Sequence, residues 1–170
     1  MRKSSIPNIF TFINLTCGVL SLLCILDKSY LTASLLILIA GLVDRYDGRI
    51  ARFLGVSSDL GKELDSLADL VSFGVAPSLL TYVLFDFNSM GIIGIILLIL
   101  FPICGAFRLA RYNVADFDGV YTGVPITIAG CIMAVLSLIS IYTAQILIIA
   151  VLFIILNSYL MVSTLKLKKV

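Results

Sequence analysis

Long uncharged stretches of the chain alternate with short segments that carry almost all of its charges. The longest uncharged stretches are residues 4–26, 29–43, 70–85, 87–107 and 119–165. A helix needs about 20 mostly apolar residues to cross the hydrocarbon core of a bilayer. The last stretch is long enough for two helices, with a break at residues 142–145. The pattern predicts six helices, at about 8–26, 30–53, 58–84, 90–112, 122–142 and 145–164.

Composition places these helices in a membrane. Of the 170 residues, 61% are hydrophobic and only 13% are charged, whereas a soluble domain carries about 25% charged residues. Arg2 and Lys3 precede the first apolar stretch as they would in a signal peptide, but no small-residue cleavage site follows. That stretch is therefore predicted to remain as the first span. We predict an all-α integral membrane protein, with residues 1–170 forming a single transmembrane domain.

The basic residues are distributed very unevenly between the two ends of the predicted helices. With both termini placed in the cytoplasm, every Lys and Arg except Lys28 lies at or towards the cytoplasmic side. Cytoplasmic loops carry an excess of Lys and Arg. Both termini, and the charged hairpin between the second and third helices, are therefore predicted to face the cytoplasm. A nucleic-acid partner is not expected.

The charged hairpin, residues 44–69, holds most of the acidic residues of the chain. Asp44 and Asp47 lie three residues apart on one face of the second helix, and Asp65 and Asp69 lie four apart on one face of the third. In an antiparallel hairpin, residues equidistant from the turn meet at equal depth. Because the midpoint between 44 and 69 falls in the predicted turn, the four carboxylates are predicted to converge between the two helices.

Four carboxylates at membrane depth repel one another unless their charge is compensated. Mg²⁺, Mn²⁺ and Ca²⁺ prefer oxygen ligands, and carboxylates shared between two such ions suit phosphoryl chemistry. Gly48 and Gly61, costly in helix interiors, favour clearance for a ligand beside the acidic faces. Two alternatives stay open. One is a hairpin whose carboxylates are salt-bridged to Arg49 and Arg52, and the other is an ion or proton pathway, which predicts carboxylates spread along several helices.

Written as a pattern, residues 44–69 read D-x-x-D-G-x-x-A-R-x8-G-x-x-x-D-x-x-x-D. This resembles the signature of the CDP-alcohol phosphotransferase family of membrane enzymes at every signature position. The resemblance implies a six-helix bundle with a cytosol-facing site inside the membrane, where a CDP-linked lipid is joined to an alcohol and CMP is released. It also implies a homodimer and two divalent cations, Mg²⁺ or Mn²⁺, with Ca²⁺ as an alternative.

The same resemblance implies roles for individual residues. The cation ligands would be Asp44, Asp47, Asp65 and Asp69, and Asp69 would also be the general base for the acceptor hydroxyl. The residues implied in binding the CDP-linked donor are Asn8, Thr11, Gly48, Arg52, Ser58 and Gly61. The first two belong to "IPNIFTFINL", which is similar to the family's P-N-x-x-T start of the first helix. Pro7 in a first helical turn fits an ordinary helix start equally well.

Two further segments resemble the phosphatidylserine synthase branch of the family. They are "GKELDSLADLVSFGVAPSLL" at 61–80 and "CGAFRLARYNVADFDGVYTGVPI" at 104–126. The branch implies CDP-diacylglycerol as donor and L-serine as acceptor. Arg108 and Arg111 would bind the serine carboxylate or a phosphate, or would only anchor the cytoplasmic end of a helix. Glycerol 3-phosphate or inositol as acceptor, and an archaeal ether lipid as donor, stay open.

Overall fold

Six helices make up most of the chain that the structure describes. The computed structural model describes residues 5–54, 58–114, 120–143, 146–164 and 166–168, and for 5–7, 47–54, 120–122 and 166–168 it describes the backbone alone. The helices are α1 Ser5–Leu26, α2 Tyr30–Leu54, α3 Asp59–Leu84, α4 Ile92–Val114, α5 Ile126–Tyr142 and α6 Leu147–Val162. The six predicted helices are present, with ends within a few residues of the predicted ones.

Two helices begin later than predicted because a left-handed glycine precedes each of them. Gly91, at φ 59°, follows the 3₁₀ turn Phe87–Met90 and delays α4. Gly123, at φ 73°, precedes Pro125, whose extended backbone delays α5. Ahead of α5, a short strand β1, Val120–Thr122, pairs antiparallel with β2, Lys166–Lys168. This strand pair is an addition to the predicted all-α architecture.

The bundle is apolar on its outside and holds polar side chains within. Leu23, Ile96 and Leu152 each have more than half of their surface exposed, while Thr11 and Asn14 are buried. A soluble protein shows the opposite arrangement. By length and composition, α3, α4 and α1 from residue 8 onwards can each cross a membrane, and α5 and α6 are shorter apolar helices. The chain is an integral membrane protein. That all six helices cross the membrane stays a prediction.

Helix α3 lies between α1 and α5, and small residues allow the close approach. A Cβ atom on Gly18 of α1 would lie 2.9 Å from the Cα atom of Ser72, and one on Gly130 of α5 would lie 2.5 Å from the carbonyl oxygen of Phe73. Small residues at helix contacts are typical of membrane bundles. Both contacts fall in a π-helical segment, Leu70–Val75, which follows Asp69 directly. Such segments are frequent at functional sites.

Candidate active site

Three carboxylates from two helices meet at one end of the bundle. Asp44 lies in the second half of α2, and Asp65 and Asp69 lie one turn apart in the first half of α3. One carboxylate oxygen from each lies within 4.8 Å of the others. Asp69 has only 7% of its surface exposed. Asp47, the fourth predicted ligand, lies outside the residues whose side chains the structure describes, as do Gly48 and Arg52.

Two uncharged side chains bind these carboxylates from other helices. Nδ2 of Asn14 in α1 donates a hydrogen bond to Oδ1 of Asp69 at 3.0 Å. Oγ1 of Thr127, in the first turn of α5, donates to Oδ2 of Asp44 at 3.3 Å. Partners of this kind fix the orientation of a carboxylate that has to bind something else. Together with Arg108 of α4, the site draws on five helices.

Sequence reasoning missed both of these residues. A signal for Asn14 was present, because α1 carries polar or small residues at spacings of three and four, which puts them on one face. These residues are Asn8, Thr11, Asn14, Gly18 and Ser21, and the last four are buried. The sequence around Thr127 gives no comparable indication. Thr127 lies in an apolar helix without a run of polar residues on one face.

Among the described side chains, Arg108 of α4 supplies positive charge close to Asp69. Arg108 is buried, with 7% of its surface exposed. Its positive charge attracts the carboxylate of Asp69, whereas the carboxylates of Asp44 and Asp65 repel that of Asp69. A buried charge is tolerated only where opposite charge and hydrogen bonds compensate it. Arg108 thus compensates part of the negative charge of the cluster, which is consistent with the predicted position near the site.

Arg111 lies elsewhere, although it is only one turn away along α4. Its guanidinium donates to the carbonyl oxygens of Val162 at 3.0 Å, Ser163 at 3.3 Å and Met161 at 3.4 Å. The last carbonyl groups of a helix have no partners within that helix, so Arg111 caps the C-terminal end of α6. The two arginines thus have different described contacts, and the predicted role of Arg111 in binding serine or phosphate stays a prediction.

The predicted donor-binding residues of α1 and α3 gather where these two helices begin. Oγ of Ser58 accepts a hydrogen bond from the backbone N–H of Gly61 at 3.0 Å. Ser58 is therefore the N-cap of α3, an ordinary structural role. A Cβ atom on Gly61 would lie 3.3 Å from Oδ1 of Asn8, so the missing side chain leaves room for Asn8. Thr11 is buried one turn further along α1.

An apolar groove runs from the acidic cluster between α2 and α5. Its volume is about 850 Å³. Asp44 and Thr127 lie at its polar end, and the side chains along the rest of it are mainly aliphatic, among them Leu38, Ile128 and Val135. A groove with carboxylates at one end and hydrocarbon along its length suits an amphiphilic molecule whose head group is polar and whose tail is apolar.

The donor set of the cluster fits a divalent cation. Ionised carboxylates offer only oxygen acceptors, which are the ligands that Mg²⁺, Mn²⁺ and Ca²⁺ prefer. Three of them this close together and partly withdrawn from water repel one another, so a cation between them lowers the electrostatic energy of the site. Within the described side chains, the residues that would hold it are Asp44, Asp65 and Asp69.

Fold and site together define a helical membrane protein with an acidic cluster at the polar end of an apolar groove. Comparison with known families gives the class. The family model described as CDP-alcohol phosphatidyltransferase matches residues 4–165, almost the whole chain. The chain belongs to the CDP-alcohol phosphatidyltransferase family.

Several curated relatives share the name CDP-diacylglycerol–serine O-phosphatidyltransferase. The protein of Bacillus subtilis is 39% identical over 133 residues, which cover 78% of this chain and 75% of that one. The protein of Helicobacter pylori is 38% identical over 130 residues, 75% of this chain and 54% of its own. The protein of Methanocaldococcus jannaschii is 39% identical over 131 residues, 77% of this chain and 59% of its own. The chain thus spans three quarters of the first relative and little more than half of the other two.

Proposed function

We propose that this protein transfers the phosphatidyl group of CDP-diacylglycerol to the hydroxyl of L-serine, giving phosphatidylserine and CMP. The observation that carries the proposal is that relatives named for this activity match about three quarters of the chain at 38–39% identity. The acidic cluster at the end of a lipid-sized groove is compatible with the reaction. An ion pathway has less support, because Asp44, Asp65 and Asp69 meet in one cluster at one end of the bundle.

Asp69 is the proposed general base. It accepts the proton of the serine hydroxyl as that oxygen attacks the phosphorus linked to diacylglycerol, and the bond from this phosphorus to CMP breaks. An alcohol is a weak nucleophile at neutral pH, so a carboxylate within hydrogen-bonding distance lowers the barrier. The amide of Asn14 holds one oxygen of Asp69, which limits rotation of the carboxylate. Arg108, on the same side, offers positive charge to an anionic group of either substrate.

The proposed cofactors are two divalent cations, Mg²⁺ or Mn²⁺, with Ca²⁺ as an alternative. The residues that would hold them are Asp44, Asp47, Asp65 and Asp69. When bound, such cations neutralise phosphate charge and stabilise the charge that develops on the leaving CMP. The residues proposed for the nucleotide part of the donor are Asn8, Thr11, Gly48, Arg52, Ser58 and Gly61.

The groove between α2 and α5 is the proposed seat of the donor lipid. Its aliphatic walls would receive an acyl chain, while the diphosphate would lie near Asp44 and Thr127 at the polar end. An intramembrane groove of this kind lets a lipid substrate enter sideways without leaving the bilayer. The same arrangement brings the reacting phosphate next to Asp69.

The site and both termini are proposed to face the cytoplasm. Ser29, beside Lys28, and Asp59, at the start of α3, lie at opposite ends of the bundle and are both exposed. In a chain whose four native cysteines are replaced, an impermeant maleimide on intact cells should label Ser29→Cys but not Asp59→Cys. The opposite labelling would reverse the orientation. A homodimer is proposed from the family resemblance, and cross-linking in native membranes checks it.

Transfer of labelled serine to lipid tests the proposed activity. Membranes containing the protein, given CDP-diacylglycerol, Mn²⁺ or Mg²⁺ and radiolabelled L-serine, should form labelled lipid and release CMP in equal amounts. Membranes with the Asp69→Asn variant are the control for host enzymes. Labelling with glycerol 3-phosphate or inositol but not with serine would reverse the choice of acceptor. No CMP release with any alcohol would overturn the proposal.

A further inference from the structure

Asn14 places a second polar atom beside the acidic cluster. An ionised carboxylate only accepts hydrogen bonds, so the NH₂ end of the Asn14 amide must face Asp69, as the 3.0 Å contact has it. The carbonyl end, Oδ1, then points away from Asp69 and cannot exchange places with the nitrogen without setting two acceptors against each other. The orientation of this amide is therefore determined by chemistry.

Oδ1 of Asn14 is a buried acceptor for which the described residues supply no donor. Asn14 is fully buried, and within the described part of the chain no group donates a hydrogen bond to its Oδ1. The large majority of buried polar side-chain atoms have a partner, and an exception calls for an explanation. Burial of an unpaired carbonyl costs stability. A donor group of a bound ligand that reached this oxygen would remove that cost.

We propose that Oδ1 of Asn14 binds the ammonium group of the acceptor and so selects an amino alcohol. The inference rests on the proposed function, and it names what distinguishes serine from the rival acceptors. An ammonium group carries three donors and a positive charge. Glycerol 3-phosphate and inositol carry no ammonium group and offer only neutral hydroxyl donors, whose hydrogen bonds are weaker than those of a charged donor.

The covalent structure of serine fits this assignment. Its hydroxyl and ammonium groups are on neighbouring carbon atoms, and the two polar atoms of the Asn14 amide are on one carbon atom. A hydroxyl that donates to Asp69 therefore carries its ammonium group within reach of Oδ1. Arg108, which also faces Asp69, is of the right charge for the carboxylate of the same acceptor.

Two acceptors that differ only in the ammonium group test the proposal. L-serine and 3-hydroxypropanoate are compared as substrates of the wild type and of Asn14→Leu, with CMP release as the assay. The wild type should prefer serine, in kcat/KM, by about 10- to 100-fold, the range for a hydrogen bond to a charged group. In Asn14→Leu the kcat/KM values for the two acceptors should differ by less than about threefold. The KM for CDP-diacylglycerol should change by less than about threefold.

Each other outcome overturns a stated part of the argument. If both acceptors lose rate equally and the preference persists, Asn14 acts only through Asp69, and the proposed contact is wrong. If the KM for the donor rises as much as that for serine, the role is structural. Wild-type protein that transfers no serine overturns the proposed function, and the inference with it.

Two further variants keep the test decisive. Asn14→Ser keeps a small polar side chain but lacks the amide oxygen, and it replaces the leucine variant if that one does not accumulate in membranes. It should lose the preference to the same extent. Asn157→Leu is the matched control, because Asn157 is also a buried asparagine, yet its amide donates to the carbonyl of Phe153 in its own helix. That variant should keep the wild-type preference.

Discussion

At the scale of single residues, the proposed chemistry depends on how Asp69 is held. Its carboxylate is buried, receives a hydrogen bond from Asn14 and is attracted by Arg108 while two other carboxylates repel it. Each of these partners comes from a different helix. A base held in this way presents its remaining acceptor capacity in one direction, which is what proton transfer from a bound alcohol requires.

Replacing Asp69 by Asn should remove turnover while leaving the donor bound. An amide cannot take the proton of the acceptor, so kcat should fall by about 10²- to 10⁴-fold. Asn14 can still donate to the new carbonyl oxygen, and the fold should be kept. Serine transfer and binding of CDP-diacylglycerol are measured side by side. Asp59→Asn, an exposed carboxylate in the first turn of the same helix, is the control and should retain activity. Full activity in Asp69→Asn would rule out the general-base role.

Removing the hydroxyl of Thr127 should weaken the response to divalent cations. Thr127→Val deletes the donor that orients Asp44 and keeps the shape of the side chain. Loss of such an outer partner typically costs 10- to 100-fold in metal affinity, and a bond of 3.3 Å is at the weak end. We expect the Mg²⁺ concentration for half-maximal activity to rise by about tenfold. Thr127→Ser, which keeps the hydroxyl, should respond like the wild type, and equal curves for all three proteins would contradict the assignment.

At the scale of whole elements, a proline in α4 is compensated by a serine in α3. Pro102 has no N–H group and cannot donate to the carbonyl of Leu98 one turn earlier. Oγ of Ser78, which is fully buried, donates to that carbonyl oxygen at 2.7 Å. Membrane helices tolerate proline where a neighbouring side chain supplies such a bond. The pair joins α3, which carries two of the aspartates, to α4, which carries Arg108.

Ser78→Ala should therefore destabilise the bundle, and more so with Pro102 present. Loss of the bond should lower the free energy of unfolding by about 1 kcal/mol, or the thermal midpoint in detergent by about 2–4 °C. In the Pro102→Ala background, residue 102 supplies its own N–H to Leu98, so the same serine substitution should cost much less. A double-mutant cycle in thermal unfolding measures the difference. Equal costs in both backgrounds would show that Ser78 does not compensate the proline.

At the scale of the whole molecule, the groove between α2 and α5 connects the acidic cluster to the lipid-facing surface. Val135→Trp should fill part of it and raise the KM for long-chain CDP-diacylglycerol by about tenfold, with a smaller effect on a short-chain donor. Val83→Trp is the matched control. Val83 is a valine of similar exposure on α3, 38% against 41%, and it does not line the groove. If both variants behave alike, the groove is not the seat of the acyl chain.

The local features of the protein were predictable from the chain itself. Uncharged stretches of helical length, bounded by charges, place the helices to within a few residues. The spacing of Asp65 and Asp69, and the equal distance of Asp44 and Asp69 from the turn, place these carboxylates together. The basic residues predict an orientation, which stays a prediction. These results depend on helix geometry and on the hydrocarbon thickness of a bilayer, both of which act within one helix or one hairpin.

The contacts between distant helices were decided only by the tertiary structure. These include the bond from Asn14 to Asp69, that from Thr127 to Asp44, those from Arg111 to the end of α6, and the strand pair between the two ends of the last hairpin. Membrane helices such as α5 and α6 are apolar nearly all round. Their sequences therefore do not specify how each one is rotated or which neighbour it meets. For α5, close packing of Gly130 against α3 makes that choice, and with it the surroundings of the carboxylates that the sequence had already placed together.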